Sequence, residues 1–278
     1  MSSHIPTDAY VMIIGAMKAG TSSLFRLLRE HPSICAAQAK EPEFFSQHQG
    51  HALNVSHYED LFPSRSEGHS FYLEASTGYT KYPEERDVPL RIKKQGLNPR
   101  FIYLVRDPLS RTLSHLNYAV LNNHAWASDP LFGFYAVTFS MYYTQLSQYI
   151  AHHFPDTDRY FIADFDDLKA RPAELTDEIY RWLELEPRAD RNVSPANVTP
   201  PRSKAELALV RSPLHRFRNI IPSGIRDSVK TLLRSYSEPA KYDLSHVDRE
   251  RLREWLHDDM MAFKNTFGFP VEKWGFED

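Results

Sequence analysis

The stretch VMIIGAMKAGTSSLFRLL, residues 11–28, decides the fold class of this chain. Its first four residues are apolar and are followed by Gly15, as expected for a buried strand that ends in a tight loop. Leucines then recur at helical spacing until Pro32 ends the pattern. The stretch therefore predicts a strand, a glycine loop and a helix in succession.

The same alternation of strand and helix continues along the chain. Short apolar runs predict further strands at residues 33–37, 71–74, 101–105 and 160–163. Helical patterns occupy residues 108–121, 140–153, 172–183 and 247–267. Because strands that alternate with helices form parallel sheets, we expect an α/β, P-loop-like three-layer fold with a central parallel sheet flanked by helices. We expect residues 1–278 to form a single domain, with long loops at residues 192–222.

Composition limits the classes of function. The 278 residues carry a formal net charge of -3 and are 42% hydrophobic, which is ordinary for a globular protein and gives no overall attraction to nucleic acid. The single cysteine, Cys35, cannot form an internal disulfide, and the N-terminal residues lack the pattern of a signal peptide. We expect a cytoplasmic protein without a membrane span or a nucleic-acid partner. Because the net charge is negative, any anion site must come from a local group of positive charges.

The glycine loop differs from that of the nucleotide hydrolases, whose pattern is G-x-x-x-x-G-K-[ST]. Gly15 and Gly20 have the same separation, but Thr21 stands at the lysine position and Lys18 lies inside the loop. Glycines still allow a phosphate to approach the backbone, and the N-terminus of the following helix attracts it. The alternative is a plain turn with a capped helix, which would need only one glycine and no lysine.

Two further segments reach the carboxyl ends of predicted strands, where open parallel sheets bind ligands. Arg106 follows the run at residues 101–105, and Ser114 lies in the next helix, so that together they can grip a second phosphate. The alternative is a salt bridge between Arg106 and Asp107 that caps the helix. The segment KEPEFF, residues 40–45, reaches the same edge, and its two phenylalanines are expected to anchor a charged loop in the core.

With these motifs, the chain resembles the PAPS-dependent sulfotransferases, in particular the branch of the heparan sulfate sulfotransferases and their bacterial relatives. PAPS is 3'-phosphoadenosine-5'-phosphosulfate. The resemblance rests on the motifs IIGAMKAGTSSL, KEPEFF, RDPLSRTLSHL, DFDDL and KWGF, which occur in the order of the family.

The resemblance implies a role for each matching residue. The 5'-phosphosulfate falls on the loop residues Lys18, Ala19 (through its backbone), Gly20, Thr21 and Ser22. The 3'-phosphate, which distinguishes PAPS from ATP, falls on Arg106 and Ser114, with Arg202 and Ser203 as the candidate later loop. Lys18 lies beside the bridging oxygen of the leaving group, and the product of the reaction is PAP.

The resemblance also implies that Glu41 is the base that takes the proton of the acceptor hydroxyl. An ordinary glutamate is ionised at neutral pH, so this residue needs no large pKa shift to act. Many relatives have histidine where this chain has Glu43, so the role of that position stays open. We expect no metal, because cationic side chains cover the leaving phosphate, and we expect His48 and His51 to be surface residues.

The acceptor is indicated by a segment that lacks lysine and arginine. Residues 112–158 contain Trp126, Phe132, Phe134, Tyr135, Phe139, Tyr142 and Tyr143. These favour a hydroxyl-bearing acceptor that is small or partly apolar, although at least half of the rings are expected to pack in the core. A later basic series points instead to an acidic acceptor; it comprises Arg202, Lys204, Arg211, Arg216, Arg218 and Arg226.

Two other functions are compatible with the same residues. A P-loop kinase or NTPase would use Asp107 or Asp164 as a magnesium ligand, but it would lack the lysine after Gly20. A catalytically silent nucleotide-binding protein would bind PAP without turnover, but the presence of both Lys18 and Glu41 favours an enzyme.

Overall fold

The computed structural model describes residues 5–49, 55–121, 132–188, 243 and 245–277. The strands of its central sheet are β1 (Tyr10–Gly15), β2 (Ile34–Ala36), β3 (Phe71–Ala75), β4 (Arg100–Val105) and β5 (Tyr160–Asp164). Their order in the sheet is β2-β3-β1-β4-β5, and all neighbouring strands are parallel. All five strand predictions are confirmed to within two residues at each end.

Helices flank the sheet. They are α1 (Thr21–Leu28), α2 (Val88–Lys94), α3 (Pro108–Leu121), α4 (Phe132–Thr138), α5 (Tyr142–Ile150), α6 (Phe165–Ala170), α7 (Pro172–Trp182) and α8 (His246–Phe267). Short 3-10 helices lie at Tyr58–Leu61, Thr77–Thr80, Thr157–Arg159 and Val271–Trp274. α1 packs against β3 and α7, whereas α8 packs against α5 and α3. The predicted α/β fold is confirmed.

The strand β1 is the switch point of the topology. All six of its residues are buried, because it has a neighbouring strand on each side and is covered on both faces. The chain fills one side of the sheet with β2 and β3 and the other side with β4 and β5. Open parallel sheets bind ligands outside the carboxyl ends of the strands at such a point.

Hydrogen bonds hold together the loops at this carboxyl edge. The hydroxyl of Thr80, which follows β3, donates to the carbonyl of Ile14 at 2.6 Å. The N–H of Ala16, which follows β1, donates to the carbonyl of Leu104 in β4 at 2.7 Å. The segments that follow β3 and β1 are therefore each bonded to the carboxyl end of a neighbouring strand.

The helices differ from the sequence prediction at α5 and at three short helices. α5 is shorter than residues 140–153, because the N–H of Ser140 bonds to the carbonyl of Val137 at 2.7 Å and so makes a turn before the helix. The helices α2, α4 and α6 were not predicted, because six or seven residues are too few to show a helical period. The loops predicted at residues 192–222 lie outside the described residues.

Candidate active site

The loop between β1 and α1 has the shape of an anion site. Gly20 has a φ of 96°, and a Cβ at this position would lie 2.9 Å from Cδ2 of Phe165, so a larger residue would displace that ring. In the described part of the chain, the N–H groups of Gly20, Thr21 and Ser22 have no backbone acceptor. Ala19 is fully buried and its N–H donates to the carbonyl of Ala16 at 3.1 Å, so this residue offers no free donor to a ligand. Unpaired N–H groups at a helix N-terminus bind phosphates.

Two arginines hold consecutive carbonyl groups of this loop. Nη1 of Arg106 donates to the carbonyl oxygen of Lys18 at 3.3 Å, and Nη1 of Arg111 donates to that of Met17 at 3.3 Å. The guanidinium carbon of Arg106 also lies 4.8 Å from the ring centroid of Phe165. The two phosphate motifs of the sequence are therefore in direct contact.

Lys18 lies among positive charges. Its φ is 72°, and its Nζ lies 4.0 Å from the ring centroid of Tyr118. Burial lowers the pKa of Lys18, the charges of Arg106 and Arg111 lower it further, and Glu41 raises it. Because three cations surround one loop, an anion bound there would relieve their mutual repulsion.

Asp107 and Ser114 both lie at the helix α3, Asp107 before its first turn and Ser114 further along it. The carboxylate of Asp107 caps α3, where its Oδ1 accepts from the N–H of Ser110 at 2.7 Å. The side chain of Arg106 points to the loop and forms no ion pair with Asp107, so the alternative of a capping salt bridge is wrong. Ser114 lies half-buried on α3, the helix that begins two residues after Arg106.

Hydrogen bonds join Glu41 to the last residue of β3 and to the segment that follows it. Its N–H donates to the carbonyl of Ala75 at 2.8 Å, and its Oε1 accepts from Nζ of Lys40 at 2.5 Å and from the hydroxyl of Thr77 at 3.1 Å. Partial burial raises the pKa of the Glu41 carboxyl, but Lys40, Thr77 and Lys81 outweigh it, and the net pKa is lowered. About half of the side chain is exposed, so an ionised carboxylate is available at neutral pH.

Glu43 points into the protein and holds the turn after β3. Its carboxylate accepts from the hydroxyl of Ser46 at 2.6 Å and from the N–H of Gly78 at 2.9 Å, and its own N–H donates to the hydroxyl of Ser76 at 3.0 Å. Only 4% of the residue is exposed, and burial raises the pKa of the carboxyl. This geometry gives Glu43 a structural position beneath Thr77, the partner of Glu41.

Three residues of the site carried no role in the sequence analysis. Arg111 lies in the quoted motif RDPLSRTLSHL, but a single arginine in a helix gives no sign of full burial. Thr77 begins the short 3-10 helix after β3 and belongs to none of the quoted motifs. Glu74 is fully buried at the end of β3, and burial raises its pKa to about 8. Its position as a charged residue in the apolar strand FYLEA is the sequence signal that could have identified Glu74.

The structure also tests the predicted burial of several aromatic and histidine side chains. Phe45 is buried and Phe44 packs against it with ring centroids 5.1 Å apart, which confirms their anchoring role. His48 lies at the surface, as expected. Of the aromatic segment, Phe139 and Tyr142 are buried, whereas Phe134 is exposed. The residues that lie outside the described ranges are His51, Trp126, Arg202, Ser203, Lys204, Arg211, Arg216, Arg218 and Arg226.

The described residues contain neither a cluster of metal-binding side chains nor a membrane-spanning helix. They contain no group of three or more histidine, cysteine, aspartate or glutamate side chains that could hold a metal ion. Within the same ranges, every helix is too short or too polar to cross a bilayer.

Curated relatives share part of their length with this chain. The mouse heparan sulfate glucosamine 3-O-sulfotransferase 3A1 is 37% identical over 105 residues, which are 37% of this chain and 24% of that protein. The mouse heparan sulfate glucosamine 3-O-sulfotransferase 5 is 27% identical over 192 residues, which cover 64% of this chain and 54% of that protein. The chain thus spans about half or less of the length of these relatives.

A solved structure shares the fold over almost the whole chain. The sulfotransferase from Alicyclobacillus acidocaldarius superposes with a TM-score of 0.64 at 16% identity, covering 96% of this chain and 98% of that one. The family model of the sulfotransferase domain matches residues 8–204, which include the phosphate loop, KEPEFF and Arg106. The resemblance seen in the motifs is therefore confirmed, and the chain belongs to the sulfotransferase family.

Proposed function

We propose that this chain transfers the sulfuryl group of PAPS to a hydroxyl group, with Glu41 as the base and Lys18 stabilising the leaving phosphate. The observation that carries the proposal is the contact between two motifs at the carboxyl edge of the sheet, where Arg106 holds the carbonyl of Lys18 at 3.3 Å. Glu41 lies close enough to raise the pKa of Lys18. Membership of the sulfotransferase family supports the reaction class.

The residues of the loop fit the phosphates of PAPS. The unpaired N–H groups of Gly20, Thr21 and Ser22 suit the 5'-phosphosulfate, and the Lys18 ammonium adds a positive charge. Arg106 and Ser114 are proposed to hold the 3'-phosphate, since the guanidinium fork matches phosphate geometry. Bound PAPS supplies a sulfuryl group whose bond to the 5'-phosphate oxygen breaks during transfer.

Glu41 and Lys18 would act on opposite sides of the sulfur atom. Glu41 accepts the hydroxyl proton while the acceptor oxygen bonds to sulfur, which contributes about 10²–10⁴-fold to the rate for a typical general base. The electron pair of the broken S–O bond remains on the phosphate oxygen, where the Lys18 ammonium neutralises the growing charge. One such donor typically contributes about 3–4 kcal/mol in a site that excludes water.

The proposed acceptor is a hydroxyl compound that is small or partly apolar. Tyr118 supports this class, because its exposed ring lies 4.0 Å from Nζ of Lys18 and therefore borders the reacting groups. Phe134 adds a second exposed ring on α4. Apolar and sugar rings pack well against such aromatic faces.

Phosphoryl transfer is less well supported, because both candidate magnesium ligands have other partners. Asp107 caps α3 through the N–H of Ser110. Asp164 caps α6 through the N–H of Asp166 at 3.0 Å and forms an ion pair with Lys273. A Walker-type carboxylate has to remain available to the metal.

Nucleotide binding tests the proposal directly. Isothermal titration should give a dissociation constant for PAP about tenfold or more below that for ADP, because only PAP carries the 3'-phosphate. Equal affinities would contradict the proposal. A screen with labelled PAPS against phenols, sterols, polyketides, glycolipids and oligosaccharides, read by mass spectrometry, then identifies the acceptor. Activity that depends on ATP and magnesium would favour a kinase instead.

A further inference from the structure

Arg111 is a fully buried positive charge that has no acidic partner among the residues that the structure describes. Its exposure is 0%, and its side chain donates to the carbonyls of Met17 and Ala136 and to the hydroxyl of Ser140. Within the described ranges no carboxylate forms an ion pair with it. These three acceptors are neutral oxygens, so each guanidinium nitrogen has a hydrogen bond, while no described residue compensates the charge.

Such an arrangement is costly for the isolated protein. Removing a charge from water carries a desolvation penalty that hydrogen bonds to neutral groups repay only in part. Burial accordingly lowers the pKa of Arg111 to about 10, so that the guanidinium is still charged at neutral pH. Packing alone would be served as well by an apolar side chain of similar size.

Two neighbouring cations, Arg106 and Lys18, add to the uncompensated positive charge of Arg111. Arg106 lowers the pKa of Arg111, and Arg111 in turn lowers the pKa of Lys18. All three cations contact or belong to the loop that follows β1. An anion bound at this loop is therefore the charge that would balance the cluster.

We propose that Arg111 is a positioning residue for the nucleotide, which holds the carbonyl of Met17 from beneath the loop and supplies a fixed charge that the 5'-phosphate group balances. This inference rests on the proposed function, because it takes the bound anion to be a nucleotide phosphate. Arg111 acts through the loop and through its electric field, and it does not need to touch the ligand.

The same side chain links the loop to α4 and to the turn after it. Ala136 lies in α4, and Ser140 in the turn also contacts the hydroxyl of Thr112 at 2.8 Å and donates to the carbonyl of Pro108 at 3.1 Å. The phosphate loop is thereby fixed to the first turn of α3 as well. This bracing keeps the N–H groups of the loop aimed at one point.

The test compares Arg111→Met, which removes the charge, with Arg111→Lys, which keeps it. Arg111→Met should weaken the binding of both PAP and ADP by about tenfold or more, measured at a temperature at which both proteins are fully folded without ligand. Arg111→Lys should bind both nucleotides within about threefold of the native chain. The control Arg100→Met, at the opposite end of β4, should bind them within about twofold.

Two results would overturn the inference. One is Arg111→Met binding PAP and ADP like the native chain. The other is a folded Arg111→Lys that loses affinity as strongly as Arg111→Met, since the charge would then not matter. If Arg111→Met does not fold, Arg111→Gln, which removes the charge but keeps a hydrogen-bond donor, replaces it in the comparison with Arg111→Lys.

A pH profile separates the field of Arg111 from simple packing. Affinity for PAP should fall at alkaline pH as Lys18 loses its proton, and in Arg111→Met the midpoint of that fall should move to higher pH, because one repelling charge is gone. An unchanged midpoint would count against the inference.

A second variant separates this inference from the proposed function. Ser114→Ala should weaken the binding of PAP but leave the binding of ADP unchanged. Equal PAP and ADP affinity in the native chain would contradict the proposed function, whereas the common effect of Arg111→Met on both ligands would still support this inference.

Discussion

Nη1 of Arg106 lies 3.3 Å from the carbonyl oxygen of Lys18, so the residue that follows β4 holds the loop that follows β1. These two strands are neighbours at the switch point of the sheet, and their carboxyl ends meet there. The contact joins the proposed site of the 3'-phosphate to the proposed site of the 5'-phosphosulfate. A nucleotide with phosphates at both ends could therefore be held by one rigid unit.

Replacing Lys18 should abolish most of the sulfate transfer. Lys18→Ala removes the charge proposed to stabilise the leaving phosphate, and kcat should fall by about 10²–10³-fold. Initial rates of PAP formation from labelled PAPS measure the effect. Lys94→Ala, on the exposed side of α2, is the matched control and should keep the native rate. A kcat of Lys18→Ala close to the native value would exclude the proposed role.

Glu41→Gln should separate catalysis from binding. The amide keeps the size of the side chain but cannot take a proton, so kcat should fall by about 10²–10⁴-fold. The dissociation constant of PAP should change by less than about twofold, because Glu41 is not proposed to contact the nucleotide. Kinetics and isothermal titration on the same preparation measure both. Glu30→Gln, an exposed residue after α1, serves as the control, and full activity of Glu41→Gln would refute the assignment.

The acid limb of the pH profile should depend on Lys40. In the native chain Lys40 and Thr77 help to lower the pKa of Glu41, so the base stays ionised, and kcat/KM should hold until the pH falls below the ordinary range of a glutamate. Lys40→Met removes the main lowering group, so the pKa rises and the loss of activity should begin at higher pH. Thr77→Val should shift the limb in the same direction. An acid limb that does not move in either variant would argue against Glu41 as the titrating base.

Gly78→Ala should destabilise the protein through the buried turn. A Cβ at Gly78 would overlap the carboxylate of Glu43 and would lie 2.7 Å from the hydroxyl oxygen of Ser46. Overpacking of this kind costs about 1–3 kcal/mol in the free energy of unfolding, which urea titration measures. Gly133→Ala in α4 is the control, since a Cβ there meets nothing within 4 Å. Equal stability of the two variants would contradict the structural role of Glu43.

Glu74 should make the stability of the fold depend on pH. Burial raises its pKa from 4.5 to about 8, so the folded chain holds a proton that the unfolded chain releases above pH 4.5. The free energy of unfolding should therefore decrease as the pH rises from 4.5 to about 8. Glu74→Gln keeps an acceptor for the Ser76 hydroxyl and should remove this part of the slope. Urea titrations at several pH values measure it, and an unchanged slope in Glu74→Gln would contradict the assignment.

Local patterns were sufficient for most of the fold. The strands were predictable because a strand buried on both faces is a continuous apolar run, as β1 and β4 are. The phosphate loop was predictable from the spacing of Gly15 and Gly20. The ends of α5 were not, because a hydrogen-bonded turn at Ser140 decides where that helix begins.

By itself, the sequence determined the order of strands and helices, the presence of an anion-binding loop and the family of the chain. Only the tertiary structure decided that Arg106 holds Lys18 and that Arg111 holds Met17, contacts between residues 88 and 94 positions apart. It also decided that Glu43 is buried against Gly78, 35 positions away. The physical reason is that burial and charge balance depend on all the segments that meet at one edge of the sheet, whereas a sequence pattern reports only the neighbours along the chain.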